Sequence, residues 1–437
     1  MALRGAIAGE WNKIPLTLAD LSIDTTLRCG QSFRWRKFAD EWACTLRGRL
    51  VRLRQDESFL YYQAIWPEHR GLPKPHEDDT EALVRHYLSL NVDLQALYKE
   101  WASVDPHFKK LSINFAGIRI LSQDAWEALV SFICSSNNNI SRISQMVQKL
   151  CVQYGPFVAQ AGDEVFHDFP SPHDLTGSDV ESTLRGLGFG YRAKYIADTA
   201  KMVASKPSDW LDSLRNPETP SFGSTTINHN ATYKNAHKEL LQLKGVGPKV
   251  SDCVCLMGLA WGESVPVDTH VWQIAVRDYK FGRGKNKAFA LSMYEPVGDL
   301  FRNLWGKKAG WAHSVLFTAD LRSFSEQKTT GPSKPSLPLV EDGVKIKKEE
   351  NSATLQSEYQ SRKRKVTPPV ALDGRLPKRE KREHHIKREL QDHPIKLEEL
   401  GNVLKLEMDV MDSVDAMDVD MTVEPRRSNR LRGVKTE

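Results

Sequence analysis

Large aromatic side chains all but stop at Phe324. Every tryptophan and phenylalanine of the 437-residue chain lies at or before that position, and the 113 residues beyond it hold one aromatic, Tyr359. A segment with so little to bury cannot offset the entropy lost on ordering. Residues 325–437 therefore read as a disordered tail, and the fold must be built from 1–324, enough chain for more than one domain. No run of about 18 uninterrupted apolar residues occurs, so no membrane span is expected. The opening "MALRGAIAGEWNKIPL" lacks the apolar region of a secretory signal. Six cysteines (Cys29, Cys44, Cys134, Cys151, Cys253, Cys255) are too scattered for a disulfide framework, and the one close pair has the wrong spacing for zinc. A reducing compartment is the expectation.

Within the body, "QSFRWRKF", "EWACTLRGRLVRLRQ" and "FLYYQAIW" alternate apolar and polar residues and are rich in aromatics, the signature of antiparallel strands. "DTEALVRHYLSL" and "DLQALYKEW" follow with helical spacing. From about 114 onward the pattern is helical, interrupted at 212–232 by a polar surface loop. The expected class is α+β: an N-terminal antiparallel β-rich domain over 1–113, an all-α helix–hairpin–helix domain over 114–324, and the tail. The net charge of +5 is modest, with 38 basic and 35 acidic residues in 1–324 and 23 and 21 in the tail. Any nucleic-acid binding must come from local patches and backbone amides rather than bulk charge.

The segment "ELLQLKGVGPKVSDCVCLM" reads as helix, tight turn, helix. Gly245 and Gly247 permit the turn and let backbone N–H groups approach a phosphate. Lys249 then falls on the first turn of the second helix, where the positive end of the macrodipole disfavours an ammonium group. Desolvation by Cys253 or Leu256 acts in the same sense. A lysine kept partly neutral is a nucleophile for Schiff-base chemistry; an exposed lysine that steers phosphate is the plainer alternative. Nineteen residues on, Asp268 in "VPVDTHVW" sits at an apparent helix N-cap, a place aspartate favours without any catalytic role. Set in an apolar wall facing the lysine, the same carboxylate could stabilise positive charge or move a proton.

Together with the glycine hairpin, Lys249 and Asp268, four further stretches carry a resemblance: "CGQSFRW" (29–35), "SFICSSNNNI" (131–140), "GLGFGYRAKY" (186–195) and "GWAHSVLFTADLR" (310–322). In order and spacing, from about residue 10 to 324, the chain resembles the eukaryotic 8-oxoguanine DNA glycosylase/AP lyases of the helix–hairpin–helix DNA glycosylase superfamily. The resemblance implies base-excision repair of double-stranded DNA containing oxidised guanine opposite cytosine. Lys249 would attack the sugar C1′, release the base, form a Schiff base and lead to strand cleavage by β-elimination, with Asp268 supporting the developing charge. The base must leave the duplex for such chemistry. The carbonyl of Gly30 would accept from N7–H of the lesion, where guanine offers only a lone pair, and Cys253 and Phe317 would sandwich the ring. An ordinary turn at Gly30 and plain core positions for the other two are the bland alternatives.

One position departs from the family. His313 stands where glutamine usually reads the Watson–Crick edge; a neutral imidazole has its donor and acceptor on opposite sides of the ring rather than side by side. Two-point reading at that edge is therefore in question: base choice is expected to be broader or to rest more heavily on Gly30, and protonation of His313 could make it pH-sensitive. By resemblance, Asn137 fills the gap left by extrusion, Tyr191 wedges beside it, and Arg142 and Arg192 hydrogen-bond to the estranged cytosine. His270, oriented by Asp320, contacts phosphate, as do the amides at Gly245 and Gly247. Helix capping by "NNN" and plain phosphate contact by the arginines are the alternatives. The hairpin carbonyls around Leu243 and Val246 could hold a structural cation. No other metal site is expected, and the four clustered cysteines of the iron–sulfur relatives are missing, so no cluster is expected either. A glycosylase for another oxidised base, and a non-catalytic helix–hairpin–helix DNA-binding protein, are the competing functions.

In the tail, "SRKRKV" (361–366) and "PKREKRE" (377–383) resemble a bipartite nuclear localisation signal, with "EPRRSNRLRG" (424–433) a third basic cluster. Nuclear import receptors, a nuclear location, a monomer and no membrane partner are the resulting expectations. The frame aliphatic–Lys–x–Glu recurs around Lys347, Lys387, Lys396, Lys405 and Lys435. Five exceed the roughly one expected by chance and resemble acceptor sites for a small ubiquitin-like modifier; a drifting Lys/Glu-rich tail is the alternative. Replacing all five lysines by arginine is predicted to abolish conjugation of that modifier in a reconstituted reaction, and unchanged conjugation would refute the assignment.

Overall fold

A computed structural model describes residues 3–282 and 289–324. The disorder expected over 325–437, the basic clusters and the five lysine frames lie outside the described residues. The N-terminal part is an antiparallel sheet, as the alternating patterns predict. Strands β1 (Leu3–Arg4), β2 (Ala6–Ala8) and β3 (Asn12–Pro15) precede β4 (Arg36–Phe38), β5 (Glu41–Leu46), β6 (Arg49–Gln55) and β7 (Phe59–Pro67). The order is β2-β7-β6-β5-β4, with β3 paired on the same strand β7 as β2. Register puts Cys44 opposite Val51 and Leu53 opposite both Trp42 and Tyr62. Those residues share one face and bury against Leu83, Val84 and Tyr87 of the helix Thr80–Tyr87. Ala43, Leu50 and Ile65 point to the other face.

That second face is where the structure adds something to the expectation. The region expected to be all-α contains a hairpin, β8 (Phe157–Ala161) and β9 (Glu164–His167), turned through Gly162 at φ +61°. β8 pairs with β1, Leu3 opposite Ala161, and the hairpin buries Val158, Ala159, Ala161 and Phe166 on the back of the main sheet. So short a hairpin is marginal alone and forms because it has a sheet to cover. The other regular elements among the described residues of 114–324 are helices, and their core also takes in Cys29, Phe33, Leu94, Trp101 and Phe108 from the N-terminal part. Among the described residues no helix is long and apolar enough to cross a membrane.

The stretch "CGQSFRW" joins the two parts. Gln31 Nε2 donates to the Arg119 carbonyl at 2.8 Å, and its Oε1 accepts from Leu121 N–H at 3.0 Å. Trp35 Nε1 donates to Tyr87 Oη at 3.0 Å. Arg34 grips Glu127, in the first turn of the helix Ala125–Ile133, through Nε at 2.9 Å and Nη2 at 2.7 Å. The same guanidinium bonds the hydroxyl and carbonyl of Thr45 on β5. With side chains only 6% and 8% exposed, neither charge can turn to water. Planar two-point pairing suits arginine, and stranding one partner is costly. Glu127→Ala is predicted to destabilise the protein by about 3–5 kcal/mol, measured as a lower urea midpoint; a loss below about 1 kcal/mol would contradict this account of the junction.

Candidate active site

The helix Tyr233–Leu240 leads through the turn into the helix Pro248–Met257. Proline at the first helical position suits its fixed φ and missing N–H. Gly245 sits at φ +73°, and a Cβ there would lie 2.6 Å from Tyr195 Cβ, so both backbone and packing require glycine. Gly247 differs from expectation: its φ of −93° is open to any residue, and a Cβ added there would meet nothing within 4 Å. Its smallness matters only to something approaching from outside. Thr199 Oγ1 donates to the Lys244 carbonyl at 2.7 Å, holding the turn against the helix Arg192–Ala204. The first amides of a helix have no intrahelical acceptor and suit an anion.

Lys249 turns inward. Its Nζ donates to Ser135 Oγ at 3.2 Å and lies 5.5 Å from the centre of the Phe132 ring. Burial pushes the Cys253 thiol, one turn further along the helix, up to about 11, with the lysine opposing. Asp268 caps the helix Thr269–Tyr279, its Oδ1 accepting from the backbone N–H of His270 at 3.0 Å and Val271 at 3.1 Å. Burial works to raise its carboxyl, but hydrogen bonding to His270 and Val271 and the nearby Lys249 charge outweigh it and bring the pKa to about 2. Capping residue and cavity anion are thus one side chain. His270, half-exposed, is raised by its hydrogen bond to Asp268, and Asp320 accepts from Arg277 Nη2 at 3.0 Å.

Lys249 and Asp268 line one cavity with Gly30, Cys253, His313 and Phe317. Six residues picked from four separated stretches therefore converge. The cavity is small, about 50 Å³. The half-buried Phe317, its ring 6.1 Å from His270 and 6.2 Å from His313, is the one large apolar side chain of this lining that is not fully buried. Gly30 has φ +87°, and a Cβ would lie 3.1 Å from Ile140 Cδ1.

Asn137, Tyr191 and Arg192 gather at a second place, with Arg142 in the first turn of the adjoining helix Ile140–Tyr154. Asn137 adopts φ +45°, a conformation asparagine tolerates. The Ser136 carbonyl accepts from Tyr191 Oη at 3.2 Å and from the Arg192 guanidinium, which also donates to the Asn137 carbonyl at 2.9 Å. Arg192 is only 4% exposed, whereas the Arg142 side chain is open to solvent on a helix capped by Asn139. In this state Arg192 holds the asparagine loop rather than facing outward. Among the described residues no cluster of histidine, cysteine and acidic side chains could hold a metal ion. At the hairpin, the Leu243 carbonyl accepts from Val246 N–H at 3.4 Å.

Sequence reasoning passed over Ser135, Phe132 and, above all, Asp252. Fully buried on the lysine-bearing helix, Asp252 accepts from Tyr233 Oη at 2.6 Å, Ser264 Oγ at 2.9 Å and Tyr294 Oη, with His237 Nε2 at 3.5 Å. Tyr294 Oη in turn accepts from Val267 N–H at 3.4 Å, next to Asp268. The one hint in the sequence is an aspartate in the apolar run "KVSDCVCLM".

Residues 13–129 match the 8-oxoguanine DNA glycosylase N-terminal domain, and residues 130–292 the HhH-GPD superfamily of base excision DNA repair proteins. An N-glycosylase/DNA lyase of Saccharomyces cerevisiae is 36% identical over 349 residues, 74% of this chain and 90% of the relative. One of Arabidopsis thaliana is 34% identical over 319 residues, 71% of this chain and 80% of the relative. The solved structure of MBOgg1 with a low-affinity DNA ligand superposes with a TM-score of 0.58 at 26% identity, covering 72% of this chain and 97% of that one. The apo 8-oxoguanine glycosylase/lyase of Clostridium acetobutylicum shares the fold, with a TM-score of 0.57 at 23% identity over 73% and 99% of the two chains.

The carboxyl of Asp268 carries a testable signature. A depressed folded-state pKa adds stability above the unfolded value near 3.9, lost as pH falls through about 2. Asparagine caps as well as aspartate. Asp268→Asn is therefore predicted to be about 1–2 kcal/mol less stable near pH 7, after allowance for partial exposure, with the gap closing as pH drops from 4 toward 2. Urea melts across that range measure it; a pH-independent gap would contradict the charge assignment.

Proposed function

Starting from a chain that belongs to the 8-oxoguanine DNA glycosylase family, we propose that it removes 8-oxoguanine opposite cytosine through a Schiff base on Lys249. The coarser activity follows from the family: the protein is a base-excision N-glycosylase with DNA lyase activity, and it binds DNA. The observation that carries the finer reading is the convergence of Lys249, Asp268, Gly30, Cys253 and Phe317 on one cavity.

In this mechanism the neutral Lys249 amine attacks C1′ and the C1′–N9 bond breaks, its electron pair leaving with the base, which takes up a proton. Sugar-ring opening gives an iminium, and loss of a C2′ proton expels the 3′ phosphate. Asp268, ionised throughout the neutral range, stabilises positive charge at the sugar, an effect that is large in a water-excluded site. Ser135 Oγ, which accepts from Lys249 Nζ, positions that nitrogen until the base enters. A flat ring fits between Cys253 and Phe317, with the Gly30 carbonyl accepting from N7–H.

Opposite-base reading would belong to Arg142 and Arg192, with Asn137 and Tyr191 occupying the gap. Arg192 must first leave the Ser136 and Asn137 carbonyls, so this step is coupled to reshaping of the asparagine loop. His270 and the amides at Gly245 and Gly247 would hold phosphates. Carbonyls of Leu243 and Val246 are the donors available for a structural cation there, which would steady the turn. An iron–sulfur cluster forms no part of the reading, since no cysteine follows Cys255. The tail's basic clusters support import into the nucleus, its lysine frames conjugation of a small ubiquitin-like modifier, and the protein acts as a monomer.

Borohydride treatment of a duplex bearing one 8-oxoguanine opposite cytosine tests the central claim. The native protein is expected to give a covalent protein–DNA adduct and Lys249→Gln none, with strand cleavage reduced at least 100-fold. An adduct of undiminished yield from Lys249→Gln would overturn the assignment. Adenine in place of cytosine is expected to lower excision at least tenfold.

A further inference from the structure

A second cavity, of about 600 Å³, shares no lining residue with the one around Lys249. Its wall is drawn from the turn between β5 and β6, the helix Thr80–Tyr87, the segment entering the helix Ala125–Ile133, and the stretches 168–173 and 203–222. Arg215 stands in that wall, only 3% exposed. Its Nη1 donates to the Gly258 carbonyl at 2.7 Å, and its Nη2 to Ser122 Oγ at 3.1 Å and the Gln123 carbonyl at 3.4 Å. Nε has no partner, and the guanidinium forms no ion pair among the described residues. A buried cation without a counter-charge is destabilising, and the loss is recovered when a ligand supplies the anion.

Two further basic groups face the same place. Ser122 Oγ lies 3.0 Å from His86 Nε2, and the His86 ring centre is 5.7 Å from that of Phe222. The Arg47 guanidinium sits 5.8 Å from the centre of that same Phe222 ring. Burial brings His86 down to about 4, and the charges of Arg215 and Arg47 add to the effect. Arg47, exposed at its turn, makes no hydrogen bond or ion pair among the described residues. The four carboxylates of the wall are engaged elsewhere: Glu127 and Asp168 with Arg34, Asp124 as the cap of its helix, and Asp212 with Ser221 Oγ at 2.5 Å. Arg47 and Arg215 are therefore cations that the protein itself does not pair.

We propose that this cavity binds a free nucleoside phosphate, with the phosphate groups held by Arg47, His86 and Arg215 and the base packed on the aromatic wall of Trp210 and Phe222. The guanidinium fork matches phosphate oxygens two at a time. Both rings are half-buried, so each has surface to offer a flat ligand. Lys206, its Nζ 5.4 Å from the centre of the Trp210 ring, adds positive charge at that side. Asp124 caps through Oδ1 alone, which leaves Oδ2 to accept from a sugar hydroxyl. The volume is in the range of pockets that take ligands of this size. Inorganic phosphate would leave the rings unused, and an uncharged nucleoside would leave the arginines unpaired.

Calorimetric titration of the full-length protein with ADP, inorganic pyrophosphate and adenosine tests the assignment. ADP is expected to bind with a Kd below about 1 mM, at least about tenfold more tightly than pyrophosphate or adenosine. The imidazole resonances of His86, assigned with His86→Gln, are expected to move as ADP is added. Arg47→Gln, which removes the charge at an exposed position, is expected to weaken ADP at least about tenfold and to leave strand cleavage at an abasic site unchanged. Failure of ADP to bind at about 10 mM overturns the proposal, as does pyrophosphate or adenosine binding as tightly as ADP. ADP binding that neither moves His86 nor responds to Arg47→Gln would place the nucleotide elsewhere and equally overturn it.

Discussion

A buried carboxylate holds the active region together. Asp252 lies at the centre of four elements: its own helix, the helix Tyr233–Leu240 through Tyr233, the segment leading to Asp268 through Ser264, and the helix Tyr294–Trp305 through Tyr294. A carboxylate out of water is tolerable only when donors surround it, and hydroxyl donors are directional. Any slip between these elements would leave the charge unsatisfied. The Tyr294 hydroxyl then reaches Val267 N–H, one residue before Asp268. Successive helix residues point about 100° apart, so Asp252 faces this network while Cys253 lines the cavity.

Several groups serve structure and site at once. Asp268 saturates helix amides and supplies the cavity anion. Gly245 is required by its φ and by the Tyr195 ring, and the same turn leads the chain to the lysine. The Gln123 side chain donates to the Gln31 carbonyl at 2.9 Å, while its backbone N–H bonds the Met257 carbonyl at 2.9 Å, tying the Gly30 loop to the far end of the lysine helix. The cavity is small, and Arg192 is spent on the asparagine loop. On the proposed reading, interactions with DNA replace these internal ones, so binding and rearrangement are linked.

Much of this was legible from the residues. The alternating strands, the helix over Thr269–Tyr279 and the turn at Gly245 follow from local spacing, and motif order identified the family. The hairpin β8–β9 was not legible, because "FVAQA" becomes a strand by pairing with Leu3–Arg4, more than 150 residues away. Gly247 looked like a backbone requirement and is not one. Arg34, in a stretch read for its family likeness, acts at the junction between sheet and helices. Asp252 passed as one polar residue among many.

What the sequence by itself determined is therefore the class of fold, the helix–turn–helix carrying Lys249, and the family, since each rests on short-range periodicity or on the order of motifs along the chain. Only the tertiary structure decided which groups are dry, paired or left without a partner. The engagement of Arg34 by Glu127, the satisfaction of Asp252 by three hydroxyls and a His313 ring with no partner among the described residues all depend on atoms brought together from distant parts of the chain. Desolvation and hydrogen-bond geometry act through space, and they turn an ordinary aspartate into a hub.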